Sequence, residues 1–404
     1  MKKLFIIDLM PFLYRGHFVF LRSPRMTSTG LNVSALIGFA NGVTSILGEY
    51  RPTHAVLAMD PGGPTFRHEA YPPYKAQREQ MPEDLAANIP YAFELAEALG
   101  LPIVRKEGFE ADDVMGTLAT RAAQEGFEVY CATPDKDAAQ LVGPHIRLFR
   151  PGHGKEGPTV YDEARVKEHW SLAAPAQMID YLALAGDTSD NIPGIRGVGE
   201  KTATTLLAQY GSVEEIIAHA GEIKGRLGER IAAGAEDAKM SKFLTTIRRD
   251  VPLDGIDWDA FARPPLDEEK IVAVCAKYEL NRLAKRLLGR ALPVSPAPLA
   301  STASDAAAEP VVLSTLADWP HDYRLVTTEA AARELAATLE AAPKFAFDTE
   351  TTGMDARTVD LVGMSFATEP GRAWYVAVPL HGGGPADASS NDLFAHAART
   401  AARP

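Results

Sequence analysis

Met1-Lys2-Lys3-Leu4-Phe5-Ile6-Ile7-Asp8 decides the fold. Four apolar residues run together and stop at an acid. The run is too short for the apolar region of a signal peptide, and no small-residue cleavage site follows it. Leu4–Ile7 reads as a buried strand, with a carboxylate at its end. The pattern recurs downstream. Ala55–Met59 ends at Asp60, Val129–Ala132 is followed by Asp135 and Asp137, and Ile146–Phe149 is a fourth short apolar run. Between them, apolar residues at helical spacing cover roughly Val33–Leu47, Leu85–Leu99 and Asp112–Gln124. Alternation of this kind over residues 1–170 predicts an α/β domain with a mostly parallel sheet. Ligands of such sheets bind outside the carboxyl ends of the strands, where these acids would converge.

The rest of the 404 residues divides by composition. Residues 171–290 read as helical. Within them Gly194-Ile195-Arg196-Gly197-Val198-Gly199-Glu200-Lys201 opens a helical run over Thr202–Gln209. From 291 to 322 the chain turns to Ala, Pro and Ser, the composition of a flexible linker. Beyond it, over 323–404, Lys344–Glu350 and Leu361–Phe366 read as strands of a further domain. A hydrophobic content of 46% supports two or three cored domains. No stretch of about 20 apolar residues lacks charges, so the sequence offers no membrane span. Two distant cysteines, Cys131 and Cys275, fit a reducing cytoplasm and exclude a disulfide framework. The net charge of −12 argues, taken alone, against nucleic acid. A site that imports several cations must itself be acidic, however, so the placement of the acids matters more than their sum.

Four acidic groups stand out: Asp8 with Asp60; Glu110-Ala111-Asp112-Asp113; Asp135-Lys136-Asp137; and Asp187-Thr188-Ser189-Asp190. Asp135 and Asp137 share one side of an extended backbone. Asp187 and Asp190, like Glu110 and Asp113, share a helical face. Any one of them alone reads equally as a helix cap. Brought together they would repel unless cations joined them. Oxygen ligands suit Mg²⁺ or Mn²⁺, and paired ions suit in-line attack on a phosphodiester.

Three blocks resemble signatures of a known family: Phe109-Glu110-Ala111-Asp112-Asp113-Val114-Met115-Gly116-Thr117-Leu118-Ala119, Asp135-Lys136-Asp137-Ala138-Ala139-Gln140-Leu141 and Gly186-Asp187-Thr188-Ser189-Asp190-Asn191-Ile192-Pro193-Gly194. They are similar to the 5′-nuclease domain of bacterial DNA polymerase I, of the flap-endonuclease superfamily, and the resemblance runs in order over about 1–290. It implies a PIN-like parallel-sheet core followed by a helical region with a helix-hairpin-helix element. It implies two or more divalent ions, with Asp8, Asp60, Glu110, Asp112 and Asp113 serving one metal region. Asp135, Asp137, Asp187 and Asp190 would serve the other. Two departures are visible: Leu9-Met10 stands where the family has a small turn-forming pair after the first acid, and Pro134 stands where it has Gly.

Bases interleaved with aromatics fill Thr65–Met81, a pattern suited to single strands. Arg67 and Tyr74 are candidate DNA contacts there. Tyr74-Lys75-Ala76-Gln77-Arg78 resembles the family's arch motif, which implies that Lys75 and Arg78 stabilise the transition state. Arg15 matches an N-terminal motif and is a candidate phosphate contact. Gly194, Gly197, Gly199 and Lys201 resemble the helix-hairpin-helix, with backbone N–H groups open to duplex phosphate and, in related proteins, K⁺ held by carbonyls. Lys344–Thr351 resembles the first motif of a 3′–5′ exonuclease. Asp348 and Glu350 would be its acids, in an incomplete ribonuclease H-like fragment.

The resemblance implies a monomeric 5′–3′ exonuclease and flap endonuclease. Its substrates would be double-stranded DNA with 5′ flaps, nicks or RNA primers, met in replication and repair. Two alternatives stay open at this level. One is a branched-DNA-binding module of the same fold with weakened catalysis. The other is a PIN-type ribonuclease, although those are short and lack the second acidic block.

Overall fold

The computed structural model describes residues 2–78, 80–152, 157–253, 255–290, 321–352 and 360–378. They fall into two compact units, Met1–Pro296 and Ala297–Pro404. Residues 291–320, most of the expected linker, lie outside the described residues.

The first unit is built on a six-stranded sheet. β1 (Lys3–Asp8) lies between β2 (His54–Ala58) and β4 (Glu128–Ala132), parallel to both. With β3 (Ile103–Val104), β5 (Ile146–Arg150) and β6 (Thr159–Tyr161), the order is β3-β2-β1-β4-β5-β6. Only β6 runs antiparallel. The chain winds outward from β1 through β2 and β3, then crosses back to β4. The order reverses between β1 and β4, where an open α/β sheet leaves a crevice.

Side-chain alternation divides the core between the two faces of the sheet. Leu4 and Ile6 join Val129 and Cys131 against α5 (Ala111–Gln124). Phe5 and Ile7 join Leu57 and Phe149 against α1 (Leu9–Val19), α2 (Ser34–Glu49) and α4 (Glu83–Ala98). The helical region does not stand apart from this core. Ile271 and Cys275 of α12 (Glu268–Lys277) and Leu283 of α13 (Asn281–Leu288) are buried among the α2 and α4 side chains. Lys270 and Lys277 bond Glu97 and Glu94 of α4.

Leu9 and Met10 do not form a tight turn. They are the first residues of α1 and lie in the core, 0% and 8% exposed. Pro11 is accommodated in the same first turn, where its missing N–H would have no helical partner anyway.

The second unit holds β7 (Asp322–Val326), α14 (Glu329–Ala341), β8 (Ala346–Thr351), β9 (Leu361–Glu369) and β10 (Arg372–Ala377), in the sheet order β7-β10-β9-β8. Asp348 and Glu350 lie two residues apart on β8, both exposed.

Candidate metal centre and nucleic-acid interface

One cleft of about 490 Å³ gathers seven of the expected acids: Asp8, Asp60, Glu110, Asp112, Asp135, Asp137 and Asp190. Asp8 ends β1, Asp60 stands two residues past β2, and Asp135 stands three past β4. Glu110 is the N-cap of α5 and Asp112 lies in its first turn, where the helix dipole favours carboxylates. The fold therefore delivers acids from four elements to the crevice beside β1.

Burial and mutual repulsion mark these groups. Asp8 is pushed up to about 8, by burial first and then by Asp60; a hydrogen bond from Thr133 Oγ1 (3.1 Å) partly offsets this. Burial, then Asp135 and Asp8, holds Asp112 well above the usual carboxylate range. Asp137 is raised likewise by burial and then by Asp135. Asp60 and Asp135 are raised chiefly by burial. Asp112 Oδ1 and Asp137 Oδ1 are buried with no hydrogen-bond partner. Unpaired, hard oxygen donors crowded into one cleft are a set that divalent cations fit. Among the described residues no three of these side chains close around one point as a finished ligand shell. Cationic side chains pair with two of them, Glu110 and Asp190.

Lys75 is the main one. Its Nζ bonds Glu110 Oε1 at 2.8 Å and lies 3.6 Å from Asp190 Oδ2, bridging the two acidic groups. Burial acts to lower its ammonium pKa, but Glu110 and Asp190 outweigh this and raise it. Arg78 pairs with Asp190 as well. The segment is clipped to the Asp187–Asn191 turn: Lys75 N donates to Asp190 O (2.9 Å), Asn191 Nδ2 donates to Pro73 O (2.7 Å), and Gln77 donates to Thr188 O. Those contacts hold Lys75 at φ 55°, left-handed backbone that costs a non-glycine residue about 1–3 kcal/mol.

Two expected ligands, Asp187 and Asp113, stand outside the cleft, and two expected DNA contacts, Arg67 and Tyr74, line it as buried groups already paired. Asp187 does not line the cleft; its carboxylate bonds Lys136 Nζ (2.7 Å) and Ser189 Oγ (2.5 Å). Burial pushes Asp187 up, but those bonds outweigh it and hold it below the usual range. Arg67, expected to meet DNA, lines the cleft but is 2% exposed and bound bidentately to Asp113, so its donors are already committed within the protein. Asp113, expected among the metal ligands, is 0% exposed and gives its oxygens to Arg67, Glu110 N and Arg248 N. The helix-capping alternative describes it better. Tyr74, expected to meet a base, is 3% exposed, with its hydroxyl 3.0 Å from Glu110 Oε2. The spacings in the sequence gave no sign of these tertiary pairings, nor of the Lys136–Asp187 pair.

Arg15 is exposed on α1 and lines a neighbouring groove with Phe12, Tyr14 and Arg150. The Gly194–Gly199 loop leads into α8 (Glu200–Tyr210). Gly194 is buried, because a Cβ there would stand 2.4 Å from Gly186 N; its glycine serves a backbone crossing rather than DNA. Gly197 takes φ 83° beside Arg230, and Gly199, the N-cap of α8, faces open space. Arg196 and Lys201 flank it, exposed.

Residues 3–171 match the family described as 5′-3′ exonuclease, N-terminal resolvase-like domain. Residues 173–269 match 5′-3′ exonuclease, C-terminal SAM fold, and residues 323–400 match 3′-5′ exonuclease. The chain is 36% identical over 392 residues to DNA polymerase I of Chloroflexus aurantiacus, a match covering 93% of this chain and 41% of the relative. It is 42% identical over 275 residues to DNA polymerase I of Bacillus caldotenax, covering 68% of this chain and 31% of the relative. The chain thus spans about two-fifths or less of the length of these curated relatives. Among solved structures, a T5 5′-exonuclease with bound divalent zinc ions shares the fold at TM-score 0.51 and 22% identity, covering 71% of this chain and 99% of that one. Human GEN1 in complex with Holliday junction DNA shares it at TM-score 0.50 and 14% identity, covering 71% of each chain. The two 5′-3′ exonuclease matches take in every acid of the cleft and the loop that opens α8, and the chain belongs to the 5′–3′ exonuclease family carried by bacterial DNA polymerase I.

Proposed function

We propose that this chain hydrolyses phosphodiester bonds at the 5′ ends of branched DNA, as a metal-dependent 5′–3′ exonuclease and flap endonuclease. The observation that carries the reading is the cleft itself, with buried, mutually repelling carboxylates and two oxygens left without partners. Asp8, Asp60, Glu110 and Asp112 form one side of a site for two or more Mg²⁺ or Mn²⁺ ions. Asp135, Asp137 and Asp190 form the other, with Asp187 beside them. When bound, the ions supply the charge that activates water and stabilises the leaving oxygen.

The chain's own residues orient the substrate. Lys75 and Arg78 put positive charge where a scissile phosphate would gather negative charge. Gly199, the α8 N-terminus, Arg196 and Lys201 offer a sequence-independent grip on duplex phosphate, and K⁺ held by carbonyls of the same loop fits that role. Flaps, nicks and RNA primers left by replication and repair are the substrates this arrangement suits. We read the chain as a monomer of the reducing cytoplasm, a compartment supported by the free, buried thiols of Cys131 and Cys275.

Incubation of the purified chain with a 5′-flap duplex and with single-stranded RNA, each with Mg²⁺, tests the substrate class. The expected result is cutting of the flap alone. Equal cutting of the RNA would favour a PIN-type ribonuclease.

A further inference from the structure

Arg67 and Asp113 form a buried ion pair beside the carboxylate cleft, at the meeting point of three segments. Arg67 belongs to α3 (Phe66–Ala70), and Asp113 to the first turn of α5. The third segment is the end of α11 (Ala235–Thr245). The guanidinium donates from Nη1 to Asp113 Oδ2 (2.7 Å) and from Nη2 to Asp113 Oδ1 (2.9 Å). Its remaining bonds go to backbone carbonyls at the end of α11: Nε to Leu244 O (2.7 Å) and Nη2 to Thr246 O (3.0 Å). That is the negative end of a helix dipole, a favourable place for a cation. Asp113 also accepts from Glu110 N at 3.1 Å and from Arg248 N at 2.9 Å. Arg67 Nη1 lies 3.4 Å from Glu110 Oε2 as well.

We infer that Arg67 and Asp113 are positioning residues for the metal ligands. Both are buried, 2% and 0% exposed, and Arg67, although it lines the cleft, gives its guanidinium N–H groups to Asp113 and to the end of α11. Asp113 is adjacent in sequence to Asp112 and caps the backbone of Glu110, so its orientation sets how both ligands enter the cleft. Arg67 fixes Asp113 and ties the turn to α11, which packs on the helix preceding the Asp187–Asp190 turn, α7 (Gln177–Ala185). The clasp thus keeps the first acidic group in register with the element that carries the second. Groups that hold metal ligands in place commonly change metal affinity or activity 10- to 100-fold when altered.

The inference rests on the metal-dependent reading above, and its test separates the two. The 404-residue wild-type chain, Arg67→Lys and the double variant Arg67→Met/Asp113→Leu are titrated with Mn²⁺ without DNA, following the electron paramagnetic resonance signal of free ion. Melting temperature, and 5′-flap affinity in Ca²⁺, are measured alongside. Arg67→Lys should bind Mn²⁺ about 10- to 100-fold more weakly, with little change in flap affinity. The double variant removes both charges together and so leaves no unpaired buried ion, but Leu244 O, Thr246 O, Glu110 N and Arg248 N lose their partners, so it should melt below wild type. Well below its melting temperature it should still bind Mn²⁺ weakly; that result supports the clasp even where Arg67→Lys fails to fold. Wild-type Mn²⁺ affinity in the folded double variant would overturn the inference, since the pair would then serve stability alone. Loss of flap affinity with unchanged Mn²⁺ binding in Arg67→Lys would overturn it in favour of a DNA contact. A wild-type chain that binds no Mn²⁺ would overturn the metal-dependent reading itself.

Discussion

Lys75 touches one acid from each half of the site, Glu110 at 2.8 Å and Asp190 at 3.6 Å. Were Glu110 and Asp190 to hold a divalent ion, it would compete with Lys75 for their oxygens, and the released ammonium would be placed to meet phosphate. Lys75→Ala is therefore expected to lower the single-turnover cutting rate by about 10²–10³, the usual loss when one preorganised charge stabiliser is removed. A change in flap affinity alone would show that Lys75 serves binding only. Asp112→Ala removes a proposed ligand, whose Oδ1 is buried without a partner. Cutting should become undetectable while flap binding persists, because DNA is held by other residues; a gel-shift assay beside a cleavage assay separates the two.

The raised carboxyls also predict a pH dependence. Asp8 moves from the ordinary value of 3.8 up to about 8. The folded state thus holds this proton more tightly than the unfolded state. The metal-free chain has that stability in full below the unfolded value and loses it as pH rises toward about 8. Bound Mg²⁺ removes the penalty, so the rise in melting temperature on adding Mg²⁺ should grow between about pH 5 and pH 8. Thermal melts with Mg²⁺ and with EDTA check this; a rise independent of pH would contradict the assignment of these acids.

Among the elements, those that carry the site follow most directly from sequence. Apolar runs ending in acids located β1, β2 and β4 to within a residue or two at each end, because strands buried on both faces need continuous apolar character. β3, of two residues, and the antiparallel β6, of three, were too short to leave a pattern. α1 was missed because Leu9-Met10-Pro11 lies where a turn was expected, although Pro fits a first helical turn. The acids were legible because their spacings are local. Arg67 and Asp113 were misread because their pairing spans 46 positions and depends on burial that no local window reveals. At the α8 entry, Gly197→Leu would put a side chain on backbone at φ 83°, which L-residues rarely adopt, and would push the end of Arg230 aside, straining the loop. Duplex affinity should fall, with cutting of short single strands less affected. Equal loss on both substrates would place the loop in catalysis or in folding instead.

Over the whole molecule, the sheet domain and the helical region share both hydrophobic clusters, one on each face of the sheet, whereas Ala297–Pro404 forms its own unit. A chain ending near residue 296 should therefore keep the full flap-cutting rate and melt as one transition; a large loss of rate would assign the second unit a part in cutting. The central claim concerns the cleft that joins the two acidic groups. It is tested most directly by incubating the purified 404-residue chain with a 5′-flap duplex in Mg²⁺, in Mn²⁺ and in EDTA. The account predicts cutting near the flap junction with either ion and none in chelator. Full activity in EDTA would contradict it.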